Sequence, residues 1–204
     1  TAINMAHQVL LFYKYVTIED PEALKVWVTA RAKDLDLTGR VIVAEEGING
    51  TLEGTLLNTN IFKDELLLDS RFSDVQVKTS VSDGTSFPKL SVKVREEIVG
   101  THFDKQKIDP RKETARHLPP EELRAWYESQ KDFVVVDMRN DYEFISGHFK
   151  DSINPKLDNS RDLPAALSRL ESLKNKTVLT VCTGGVRCEK MSAYLLSEGF
   201  TDVY

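Results

Sequence analysis

At 204 residues with 41% hydrophobic side chains, the chain holds enough apolar material for a buried core and enough length for two modest domains. Its formal charge of −5 excludes a global attraction to nucleic acid, so such a partner would need a local basic patch. No apolar run approaches the ~20 residues that span a bilayer, nothing at the start reads as a secretory leader, and two cysteines six positions apart make no disulfide framework. Free thiols of this kind suit a reducing cytoplasm, which is the expected location.

Residues 8–16 alternate as a strand that ends at Thr17-Ile-Glu-Asp20-Pro21, with Asp20 placed as an N-cap and Pro21 at the first helical position. The helix predicted over 22–35 carries Leu24, Trp27, Val28 and Ala32 on one face. Residues 39–44 read as a second strand, Gly47-Ile-Asn-Gly50 as a turn, and 51–54 as a short third strand. A second helix is predicted over 60–68, and 75–78 and 90–95 alternate as strands. The order β-α-β-β-α-β with one late extra strand predicts a ferredoxin-like (acylphosphatase-like) α+β domain over 7–99.

Residues 100–120 lack a clear period and contain Asp109-Pro110 and Pro119-Pro120, which predicts an interdomain linker. Its cations include Arg111 and Lys112. Such runs are ordinarily solvated surface, and a phosphate-contacting strap is the functional alternative.

The second half, 121–204, reads as a parallel α/β domain. A short helix over 118–126 precedes an apolar strand at 132–137, a polar helix at 140–146, a helix at 163–173 and a strand at 177–181. Ligands of such sheets sit at the C-terminal strand ends, where Asp137 and Cys182 both fall.

The segment Cys182-Thr-Gly-Gly-Val-Arg187-Cys188-Glu-Lys190 follows the last of these strands and opens a helix predicted over 189–198. Cys182 therefore faces free backbone N–H groups at a helix start, and Gly184 and Gly185 permit a tight loop that turns amides inward. Those dipoles and Arg187 favour a thiolate, so Cys182 is the expected nucleophile. Cys188, inside the first helical turn, is either a structural thiol or an accessory, resolving one.

Val136-Asp137-Met-Arg139, Glu143 before Gly147-His148-Phe149, Ile153-Asn-Pro155 and Cys182-x4-Arg187 together resemble a rhodanese domain. Related cysteine phosphatases set the arginine six positions after the cysteine. Here it is five, the narrower loop associated with cradling a persulfide sulfur. Adding Tyr13-Lys14-Tyr15, Ala44-Glu-Glu-Gly-Ile-Asn-Gly-Thr51 and Cys182–Lys190, nearly the whole chain resembles the oxygen-dependent tRNA uridine(34) hydroxylase family. That family joins a ferredoxin-like domain to a rhodanese domain, and its members continue further, so the rhodanese domain is expected to be C-terminally truncated at Tyr204.

The resemblance implies formation of 5-hydroxyuridine at the wobble position, with molecular oxygen as co-substrate and the tRNA anticodon region as partner. No other cofactor, no metal, no membrane and no protein partner is expected. Cys182 would act as nucleophile toward C6 of uracil, or alternatively as a cysteine persulfide in a sulfurtransferase. The amides of Thr183, Gly184, Gly185 and Val186, with Arg187, would stabilise charge on the sulfur. Asp137, Arg139 and His148 are accessory candidates: Arg139 is expected to pair with Glu143 or the linker, and His148 to fix its own loop by a hydrogen bond, with catalysis as its alternative. For RNA, a platform of Tyr13, Tyr15, Lys89, Lys93 and Arg95 on the N-terminal sheet is the candidate surface, together with Arg111 and Lys112.

Overall fold

Along β1 (His7–Tyr15), Gln8, Leu10 and Phe12 turn inward and their neighbours turn away, the period of a sheet covered on one face. The computed structural model describes residues 6–105 and 107–204. It divides into two units, the first ending at Ile98 and the second beginning at Val99.

In the first unit β1 is followed by α1 (Pro21–Asp34), β2 (Thr38–Ala44), β3 (Gly47–Thr55), α2 (Leu56–Leu68), β4 (Lys78–Ser82) and β5 (Leu90–Val94). The strand order is β4-β1-β3-β2-β5, with β5 parallel to β2 and every other pairing antiparallel. The Asp20 carboxylate accepts the Ala23 N–H at 2.9 Å, and Thr55 accepts that of Asn58, so both helices start at a side-chain cap. Leu24, Val28 and Ala32 of α1 and Phe62 and Leu66 of α2 close over Leu10, Phe12, Val41, Val43, Ile48 and Leu52.

The expected turn at 47–50 is strand. Ala44 pairs with Gly47, so Glu45-Glu46 make the two-residue loop and β3 begins at once. The glycines serve close approach instead. A Cβ on Gly47 (φ +150) would lie 2.0 Å from the Lys14 carbonyl oxygen, and one on Gly50 would lie 2.4 Å from the Phe12 ring. The strand expected at 75–78 also begins three residues later.

In the second unit come α3 (Pro120–Glu128), β6 (Val134–Asp137), α4 (Asp141–Ser146), α5 (Leu163–Ala166), β7 (Thr177–Val181), α6 (Val186–Ser197) and β8 (Asp202–Val203). The three strands are parallel in the order β6-β7-β8. The single helix expected at 163–173 is α5 followed by two 3-10 turns.

The linker expected at 100–120 is a correction as well. Phe103, Ile108 and Ala115 enter the apolar cluster of this unit, and Phe103 stacks on Tyr194 with centroids 4.7 Å apart. Thr114 and His117 bond the Glu189 carboxylate at 2.8 and 2.7 Å. The segment is strapped to α6, and the unit begins well before residue 121. Its contacts are made one irregularly spaced side chain at a time, so no period announces them.

Candidate active site

Parallel strands β6 and β7 end side by side, with the Met138 N–H donating to the Val181 carbonyl at 2.9 Å. Asp137 and Cys182 therefore emerge together at the C-terminal edge of the sheet. Immediately beyond, Gly185 (φ +103) turns the chain into α6 and brings no side chain to cap it. The Cys182 sulfur takes that place. It accepts the Gly185 N–H at 3.1 Å, and it accepts the backbone N–H of Cys188 as well.

The Cys182 thiol is pulled down to about 5. The hydrogen bond from the Cys188 thiol contributes most, then the Cys188 N–H, the Arg187 charge and the Gly185 N–H, against the opposing effect of burial. Cys188 is pushed up by the same bond, because a thiolate lies beside it, and by its own burial. The pair is thus one thiolate and one thiol at neutral pH.

Arg187 does not reach over the sulfur alone. Its guanidinium grips Glu143 of α4 bidentately at 2.6 and 2.9 Å and donates to the Thr183 hydroxyl at 3.0 Å. The arginine holds the Glu143 carboxyl down at about 2. Glu143 also accepts the Asn140 N–H as the reciprocal half of the α4 capping box. In the sequence Glu143 is the partner expected for Arg139. Its bond to Arg187, 44 residues away in the chain, carries no local signal.

Arg139, expected on Glu143 or the linker, feels the Glu143 charge but takes Asp137 as its hydrogen-bonding partner. It chelates Asp137, whose side chain has no exposed surface, with Nε and Nη2 at 2.9 and 2.7 Å. The same Nη2 donates to the Gly147 carbonyl at 2.5 Å. The reason is local. Asp137 is the last residue of a buried strand and needs a cation, and Arg139 is two residues away across the bend. His148 stacks on Phe144, with centroids 3.8 Å apart and planes 6° apart, and its Nδ1 donates to the Phe144 carbonyl at 2.9 Å. That is the loop-fixing part expected of it. Cys182, Val181, Asp137, Arg139, His148 and Phe149 line a cavity of about 310 Å³, near the lower end for small-molecule sites.

The basic candidates separate. Lys93 lies on β5 in register with Ile42, Asn49 and Tyr13, three strands across. Tyr13 and Lys93 thus share the face of the sheet turned away from the helices, roughly 14 Å apart. Tyr13 and Tyr15 meet edge to face at 6.3 Å. Lys89 and Arg95 flank the same strand and are exposed. Arg111 is spent on Asp109 at 2.8 and 2.9 Å, and Lys112 is exposed.

Residues 7–98 match the UPF0176 acylphosphatase like domain and residues 119–204 the Rhodanese-like domain. A protein of Staphylococcus saprophyticus named tRNA uridine(34) hydroxylase is 44% identical over 98% of this chain and 63% of its own length. Proteins of the same name from Listeria monocytogenes and Enterococcus faecalis are 42% identical, over 61% and 63% of their lengths. The chain spans about three-fifths of the length of these curated relatives. The mixed sheet of the first unit is thus followed by a parallel sheet that ends at the Cys182 loop, and the chain belongs with the proteins that join a UPF0176 acylphosphatase like domain to a Rhodanese-like domain.

Proposed function

We propose that this protein modifies tRNA, replacing the C5 hydrogen of the wobble uridine, position 34, with hydroxyl to give 5-hydroxyuridine. Molecular oxygen is the oxygen source, the anticodon region is the part of the tRNA engaged, and Cys182 is the reacting group. The name carried by relatives at 42–44% identity supports the reaction.

The observation that carries it to this site is the charge balance around the sulfur. Arg187 is matched by Glu143 and Arg139 by Asp137, so the Cys182 thiolate is the surplus charge in the cavity. An oxyanion such as thiosulfate or a phosphate ester would meet net repulsion there. An uncharged planar base meets none, and presents an electron-poor C6 to a thiolate. The same balance disfavours a sulfurtransferase fed by thiosulfate.

Mass analysis of tRNA nucleosides tests the reading. A strain lacking the gene should lose 5-hydroxyuridine and its derivatives under aeration, recover them with the wild-type gene, and fail to recover them with Cys182→Ala. Undiminished 5-hydroxyuridine in the Cys182→Ala strain would sink it.

A further inference from the structure

Converting C5–H to C5–OH with dioxygen uses one oxygen atom. The other leaves as water, and that requires two electrons and two protons from a donor. The site holds two thiols in contact. The Cys182 sulfur accepts hydrogen bonds from both the backbone N–H and the thiol of Cys188. Cys182 lines the cavity, whereas Cys188 lies behind it in the first turn of α6, packed against the apolar cluster of the unit. One sulfur faces the substrate and the other stands in reserve.

We propose that Cys188 is a reductant in the reaction, and that Cys182 and Cys188 together supply the two electrons by closing to a disulfide in each turnover. The proposal rests on the hydroxylase reading. In the first step C5–H, dioxygen, the Cys182 thiolate and a proton give C5–OH and a Cys182 sulfenic acid. In the second, the Cys188 thiol attacks that sulfur. The S–S bond forms, the S–O bond breaks, and the hydroxyl leaves with the thiol proton as water. Dioxygen gains four electrons, two from the C5–H bond and two from the sulfurs. An external dithiol then reopens the disulfide by exchange.

The test uses purified protein, reduced, freed of small thiols, and incubated in air with tRNA bearing uridine at position 34. The expected result is about one 5-hydroxyuridine per chain, matched by one Cys182–Cys188 disulfide in the peptide mass map, with turnover resumed on adding dithiothreitol. Cys188→Ser separates electron supply from positioning, because its hydroxyl still donates to the Cys182 sulfur. In the thiol-free incubation it should leave a dimedone-trappable sulfenic acid at Cys182 after its one equivalent of product, while iodoacetamide alkylation of Cys182 stays within about threefold of wild type. Product beyond one equivalent without added thiol, or no sulfenic acid on Cys182 of Cys188→Ser after product has formed, overturns the proposal and leaves the hydroxylase reading intact. Absence of 5-hydroxyuridine from the reduced protein supplied with dithiothreitol overturns both.

Discussion

The two units place their polar residues differently. In the first, a five-stranded sheet carries the regular structure, and its buried polar groups bond within the unit: Gln8 to Thr59 at 2.7 Å, Glu53 to the Ser86 hydroxyl at 2.7 Å. In the second, three short strands suffice, and charged residues gather where two of them end. A sheet that stops early leaves backbone amides and paired charges free to act on a sulfur. Among the described residues of 99–119 the second unit has no helix or strand, and Phe103, Ile108 and Ala115 of that stretch enter its apolar cluster from irregular chain.

The contrast can be broken most sharply through the first core. Phe62 is fully buried there against Phe12 and Trp27. Phe62→Ala should cost about 3–5 kcal/mol in urea unfolding of that unit. The pH at which Cys182 becomes alkylatable should stay near 5; a move of that inflection would show that the units are not separate in their energetics.

Glu143→Gln sharpens it from the other side. With Arg187 no longer neutralised, the cavity should admit anions. The rate of Cys182 alkylation by iodoacetate relative to iodoacetamide should rise about tenfold at low salt. An unchanged ratio would mean that the Arg187–Glu143 pair does not set the local charge.

The third test is thermodynamic. Cys182 titrates near 5 in the folded protein against an ordinary value of 9.0, so its thiolate form favours folding. That contribution is fully present above pH 9 and is lost as pH falls through the folded value near 5. Subtracting the unfolding free energy of Cys182→Ser from that of wild type should give a difference that grows between those limits. For Glu143, held at about 2 against 4.5, the corresponding loss comes only as pH falls from 4.5 toward 2. Two separate windows are expected. The smallest effect belongs to Arg124→Ala, which breaks an exposed i,i+4 pair with Glu128 and should cost less than ~0.5 kcal/mol by thermal melting.

Local chemistry was legible in the sequence, and distant pairing was not. Strand 177–181, the loop after it and the helix start are read from adjacent residues, because an apolar run, two glycines and an arginine define them within a dozen positions. The order of the first unit's elements was equally plain, since each carries its own period. A residue that serves something far off carries no such local signal. Glu143 is expected on Arg139 and is the partner of Arg187. Gly47 looks like a turn and instead lets β3 pass against the Lys14 carbonyl. Arg139 chose a neighbour two residues back over one four residues on, because the buried Asp137 had more need of a cation. Residues 100–120 looked idle because their apolar side chains fall at no fixed interval.

Cys182 stands in for the missing cap of α6, and this ties the state of the sulfur to the solvent protection of specific amides. A sulfur drawn into a disulfide, alkylated or oxidised can no longer hold the Gly185 and Cys188 N–H groups as a thiolate does. The loss of a cap is worth about 1 kcal/mol, or roughly a fivefold change in the opening equilibrium of those bonds. Deuterium uptake at the first turn of α6 is therefore a built-in gauge of what has happened to the reactive atom. It can be read without labelling the thiol.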